Sequence, residues 1–67
     1  MMEHELVLNG DVVSIYTNGK LTSLKYNRDK VVEISSFIFD AGFTGDEVKE
    51  KLDELFLQGR TKFQDRK

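Results

Sequence analysis

The sequence predicts an α+β domain: a three-stranded antiparallel β-meander followed by two amphipathic helices packed on one sheet face, β-β-β-α-α. Three observations predict it. Asn9-Gly10 and Asn18-Gly19 punctuate runs rich in β-branched and aromatic residues, and Asn-Gly between alternating apolar runs signals a hairpin, because a type I′ turn needs positive φ at both central positions. After Asn27 the apolar period changes from two to that of a helix. Thr44-Gly45-Asp46-Glu47 then has the S/T-x-x-E form of a capping box.

The meander spans 4–26. With two-residue turns at both Asn-Gly sites, Leu8 pairs with Asp11, Leu6 with Val13 and His4 with Ile15. Thr17 pairs with Lys20, Ile15 with Thr22 and Val13 with Leu24. Side chains alternate along a strand, so Leu6, Leu8, Val13, Ile15, Leu24 and Tyr26 share one face, the expected core. The other face carries Val7, Val12, Tyr16 and Leu21.

The first helix is predicted over 28–41, with Asn27 or Asp29 as its cap and Gly42 ending it. Val31, Ile34, Ile38 and Ala41 form one stripe. Val32 and Phe39, seven apart, form another on a different side, which predicts a helix contacted on two sides. The second helix runs over 44–58 or longer, with Val48, Leu52, Leu55 and Phe56 inward. Phe63 continues that stripe past Gly59, although a glycine inside a helix costs about 1 kcal/mol relative to alanine. The last residues, 64–67, are expected to fray.

Composition excludes more functions than it selects. One domain of 67 residues with no cysteine and one histidine holds no disulfide, thiolate site or imidazole cluster, so a second copy of the chain is the expected stabiliser, as a homodimer. No apolar run is long enough to span a membrane or serve as a secretory signal, so a cytoplasmic location is expected. Nucleophilic catalysis needs a base beside the nucleophile, and His4 lies near a terminus. The carboxylates at 46, 50, 53 and 54 fall on a solvated helix face rather than an ion-wrapping loop. No enzyme, cofactor, metal or small-molecule substrate is therefore expected.

Apolar surface without an evident neighbour remains. The contiguous set Val7, Val12, Tyr16 and Leu21 marks one candidate protein interface. Leu57, standing among Asp53 and Glu54 on the acidic side of the second helix, marks another, with acidic mimicry of nucleic acid as a variant. The reading is a small protein-binding module, an adaptor or inhibitor, a type common among phage and mobile-element products that bind host machinery. The alternative is a nucleic-acid accessory protein using Arg60, Lys62, Phe63, Arg66 and Lys67 of the basic tail. Against it stands a net charge of −2, where nucleic-acid domains carry a positive field.

Overall fold

The computed structural model describes residues Met1–Lys67. Its elements are β1 (Glu3–Asn9), β2 (Val12–Thr17), β3 (Lys20–Asn27), α1 (Val31–Asp40), α2 (Gly45–Gln58) and β4 (Arg60–Gln64). The fold is α+β, as the sequence predicts, but with a fourth strand. The sheet order is β3-β2-β1-β4, every neighbour antiparallel. β1, expected at an edge, is therefore central.

The fourth strand corrects the reading of the C-terminus. Gly59 stops α2: it adopts φ 87°, and its N–H bonds Leu55 O at 2.9 Å, a left-handed cap that glycine enters without a Cβ clash. Its own carbonyl already accepts from Leu8 N at 2.8 Å, so the chain leaves the helix directly into pairing with β1. Phe63 then reaches the core as a strand residue opposite His4, not as a continuation of the helical stripe. The segment expected to fray is tied down. Asp65 N donates to Met2 O at 2.9 Å, and Arg66 N donates to Ala41 O at 2.6 Å.

Two registers also differ from expectation. In the first hairpin Asn9 pairs with Val12 and Leu6 with Ile15, so the turn is Gly10-Asp11 rather than Asn9-Gly10. Only its first residue has positive φ, the pattern of a II′ turn. The slip is two residues, so no side chain changes face. The second hairpin turns at Asn18-Gly19 as expected, with Thr17 opposite Lys20 and Tyr16 opposite Leu21. The ladder then shifts, and Ser14 pairs with Lys25 and Val13 with Tyr26. Thr22 to Leu24 thus bulge opposite Ile15, where the Thr22 hydroxyl donates to Ile15 O at 2.8 Å. Leu24, placed in the core by the sequence, is exposed in consequence.

The core lies between the sheet and the helices. Leu6, Val13 and Ile15 from the sheet meet Ile34 and Ile38 of α1 and Leu55 of α2, all fully buried. α1 starts later than predicted, at Val31, and neither Asn27 nor Asp29 caps it; the N-cap is Lys30, whose side chain makes no capping bond. α2 has the predicted capping box, Thr44 and Glu47 bonding each other's backbone N–H.

Gly42 sits at φ 99°, and a Cβ there would lie 3.0 Å from the Arg66 Cβ, whereas at Gly59 it would meet open space. Both sites resist L-residues, but only Gly42 adds a clash with the C-terminal segment. Gly59→Ala should cost about 1–2 kcal/mol in urea unfolding, from the left-handed backbone alone. Gly42→Ala should cost more, and equal losses would contradict the packing of Arg66 on this turn.

Candidate protein-binding surfaces

Both helices cover the same sheet face, so the other face is open. The ladder places Leu21, Tyr16, Glu5 and Lys62 in one row across it, and Lys25, Ser14, Val7 and Arg60 in the next. Val12 follows, diagonal to Val7. The predicted set Val7, Val12, Tyr16 and Leu21 is thus brought onto one face: three are half-buried, and Leu21 is 56 % exposed. β4 adds what the sequence did not show, setting Arg60 and Lys62 beside this strip. Arg60 lies 3.6 Å from Glu5 and Lys62 4.0 Å from Glu3. Three cations, including Lys25, therefore face two acids across the sheet.

The basic tail does not form the surface expected of it. Phe63 is buried among His4, Phe37 and Phe43, with ring centroids 5.4 Å from Phe43 and 5.6 Å from His4. It is unavailable for stacking on a base. Arg66 lies over the Phe43 ring, 4.2 Å from its centroid, and pairs with Glu47. Of the five residues, Arg60 and Lys62 face outward on the sheet and Lys67 is exposed at the chain end.

The acidic patch of α2 is likewise divided. Leu57 is 84 % exposed and Asp53 is exposed. Glu54, by contrast, accepts from the Thr61 hydroxyl at 2.7 Å and lies 3.7 Å from Lys51. Its carboxylate joins α2 to β4 rather than forming a free phosphate-like row.

Glu47 is also committed to structure. The Thr44 backbone N–H, and next the Arg66 guanidinium, hold its carboxyl below the usual glutamate range, with partial desolvation acting the other way. A folded-state value below the unfolded one means the stabilisation is present above the unfolded value and is lost as pH falls through the folded one. The stability difference between wild type and Glu47→Gln should therefore be full at neutral pH and shrink below about pH 5. A difference that stays constant into acid would contradict this assignment.

His4 is the residue whose position the sequence left least defined. It lies in the central strand, largely buried, edge-on to Phe37 at 5.2 Å. Nε2 is 2.9 Å from Asp65 Oδ1 and Nδ1 is 3.0 Å from Thr17 Oγ1. A carboxylate only accepts, so Nε2 carries the proton of the neutral ring and Nδ1 accepts from the threonine. The Thr–His–Asp chain is a tie between β1, β2 and the C-terminal segment, with both ring nitrogens occupied. Its partner at Asp65, sixty-one positions away, had no local signal in the sequence.

The second apolar stripe of α1 predicts a second neighbour on its outer side, and no element of the chain covers Val32 or Phe39. Val32 is 76 % and Phe39 58 % exposed. With Ser35 and Ser36 between them, and Gly45 and Val48 of α2 alongside, they line a shallow groove of about 360 Å³. No helix of the chain is long and apolar enough to cross a membrane. No protein-family model, curated protein or solved structure matches this chain.

Proposed function

We propose that this chain is a small, non-enzymatic, cytoplasmic protein-binding module that acts as an adaptor or inhibitor by laying the open face of its sheet on a partner protein. The observation that carries this reading is the composition of that face: an apolar strip of Val12, Val7, Tyr16 and Leu21 beside a border of paired charges, Glu5 with Arg60 and Glu3 with Lys62. Protein interfaces combine an apolar centre containing tyrosine with a polar rim, and charges of both signs suit another protein better than a polyanion. The commitment of both His4 ring nitrogens to structural bonds supports the non-enzymatic part. The partner expected is a protein surface with an apolar centre and a rim of mixed charge.

One observation favours a second reading, single-stranded nucleic acid on the same face. β4 brings Arg60 and Lys62 onto the face that holds Tyr16 and Lys25, one strand beyond β1, so an aromatic lies between cations on the two sheet edges. Affinity capture from lysate, with and without nuclease, separates the two. A protein retained in both arms, insensitive to moderate salt and lost with Tyr16→Ala/Leu21→Ser, is the expected result. Both residues lie on the outer face, so that variant should keep its far-UV circular dichroism. Retention that disappears with nuclease, and falls steeply with salt as released counterions require, would replace the protein reading with the nucleic-acid one. Unchanged capture by the variant would remove the sheet face from both.

A further inference from the structure

We propose that α1 docks antiparallel on α1 of a second copy of this chain, across a two-fold axis passing between Ser35 and Ser36. This contact uses the side of the molecule away from the open sheet face, so it stands independently of the reading above.

The first support is the apolar stripe. Ile34, Ile38 and Ala41 turn to the core, and the opposite side of the helix presents Val32 and Phe39 to solvent with only serines between them. Small residues at the centre of a helix face let another helix approach closely, and large ones on either side fill the gaps beside the crossing. The stripe is also self-complementary. With the axis between 35 and 36, Val32 meets Phe39 of the partner, and Ser35 meets the partner's Ser36. An isologous contact requires a patch that matches itself under the two-fold, and this one does.

The second support is electrostatic and independent of the first. α1 carries Glu33 in its first turn, as a helix start prefers, but it lacks a side-chain cap there and departs from the charge preference at its C-terminus. Its N-terminus has Lys30 as N-cap with no side-chain bond, and its last turn carries Asp40 and no basic residue. An acid there opposes the negative end of its own macrodipole, and an uncapped first turn leaves N–H groups unpartnered by side chains. Asp40 has no ion-pair partner within the chain, and the only acid near Lys30 is Glu33 at 4.0 Å. The axis that pairs Val32 with Phe39 also sets Asp40 of one copy beside Lys30 and the uncapped first turn of the other, where Glu33 stands 4.0 Å from that lysine. One geometry thus gives Asp40 of each copy an uncapped helix N-terminus and a lysine to face. A parallel arrangement would set Asp40 against Asp40.

A contact built on a ten-residue helix is smaller than a standard interface, so a dissociation constant on the order of 10 µM is expected. Sedimentation equilibrium from about 5 to 500 µM spans that range. Wild type should pass from monomer to dimer, and Val32→Glu/Phe39→Ser should remain monomeric with unchanged circular dichroism, since both side chains are exposed. Asp40→Lys should weaken the dimer about tenfold or more by facing Lys30 with a like charge, and Lys30→Glu added to it should restore association. Tyr16→Ala/Leu21→Ser should sediment as wild type does. A wild-type monomer throughout would overturn the proposal, as would a dimer that survives Val32→Glu/Phe39→Ser. Failure of the charge exchange to rescue would overturn the antiparallel register. Loss of the dimer in Tyr16→Ala/Leu21→Ser would place the self-contact on the sheet instead.

Discussion

Phe63→Ala is expected to leave much of the protein unfolded at 25 °C. The ring is nearly inaccessible and packs against His4, Phe37 and Phe43. Truncating a buried phenylalanine to alanine costs about 3–5 kcal/mol, the lost transfer energy plus the cavity left behind. A chain of this length has about 3–10 kcal/mol in total, on the usual stability per residue. The substitution therefore consumes a large fraction of it, and β4 loses its one apolar inward anchor, keeping only Thr61 inward beside the exposed Arg60, Lys62 and Gln64. Urea unfolding followed by circular dichroism measures the loss. A change below about 1 kcal/mol would mean that residues 60–64 are not packed on β1, because no buried Phe→Ala substitution is that mild. The neighbouring Lys62→Ala serves as the control: its side chain points to solvent opposite Glu5, and exposed ion pairs contribute about 0–1 kcal/mol.

The second large effect is expected at His4. His4→Ala should destabilise the fold by about 2–4 kcal/mol, combining a core cavity with the loss of hydrogen bonds to Thr17 and Asp65. Asp65→Asn should cost much less. It keeps a side-chain oxygen that can accept from Nε2–H, and the Asp65 side chain is already 30 % exposed, so water can replace what is lost. The order of the two losses tests the role assigned to the histidine. If Asp65→Asn equalled His4→Ala, the carboxylate charge rather than the packing of the ring would be holding the C-terminal segment. A long-range ¹H–¹⁵N NMR correlation on the neutral imidazole should show the proton on Nε2.

Most local structure was legible because the forces that set it act between near neighbours in sequence. Asn18-Gly19 turns where it does because both residues tolerate positive φ, and Thr44 with Glu47 caps α2 within one turn of chain. The face assignments of β1 and β2 survived even a misplaced first turn, because a slip of two residues preserves the alternation of side chains. The candidate surfaces were partly legible for the same reason. Val7, Val12, Tyr16 and Leu21 had to share a face once the strand period was read, and Val32 and Phe39 had to share a helix stripe. Leu24 was misplaced because the β3 bulge depends on the Thr22 hydroxyl satisfying Ile15 O, which periodicity does not encode.

The sequence by itself determined the α+β class, the three leading strands, both helices and the outward sheet-face set Val7, Val12, Tyr16 and Leu21, all through interactions within about one turn or one hairpin. That Val32 and Phe39 stay uncovered within the chain was decided by the tertiary structure. Only the tertiary structure decided the fate of residues 59–66. Arg-Thr-Lys-Phe-Gln is too short to declare its period, and Phe63 fits a helical stripe as well as a strand. What selects the strand is the free edge of β1, whose unpaired backbone groups need partners. That edge meets β4 only after the intervening helices have folded back over the sheet. The same distant pairing placed Phe63 in the core, gave His4 its carboxylate, and carried Arg60 and Lys62 onto the open face that holds Tyr16.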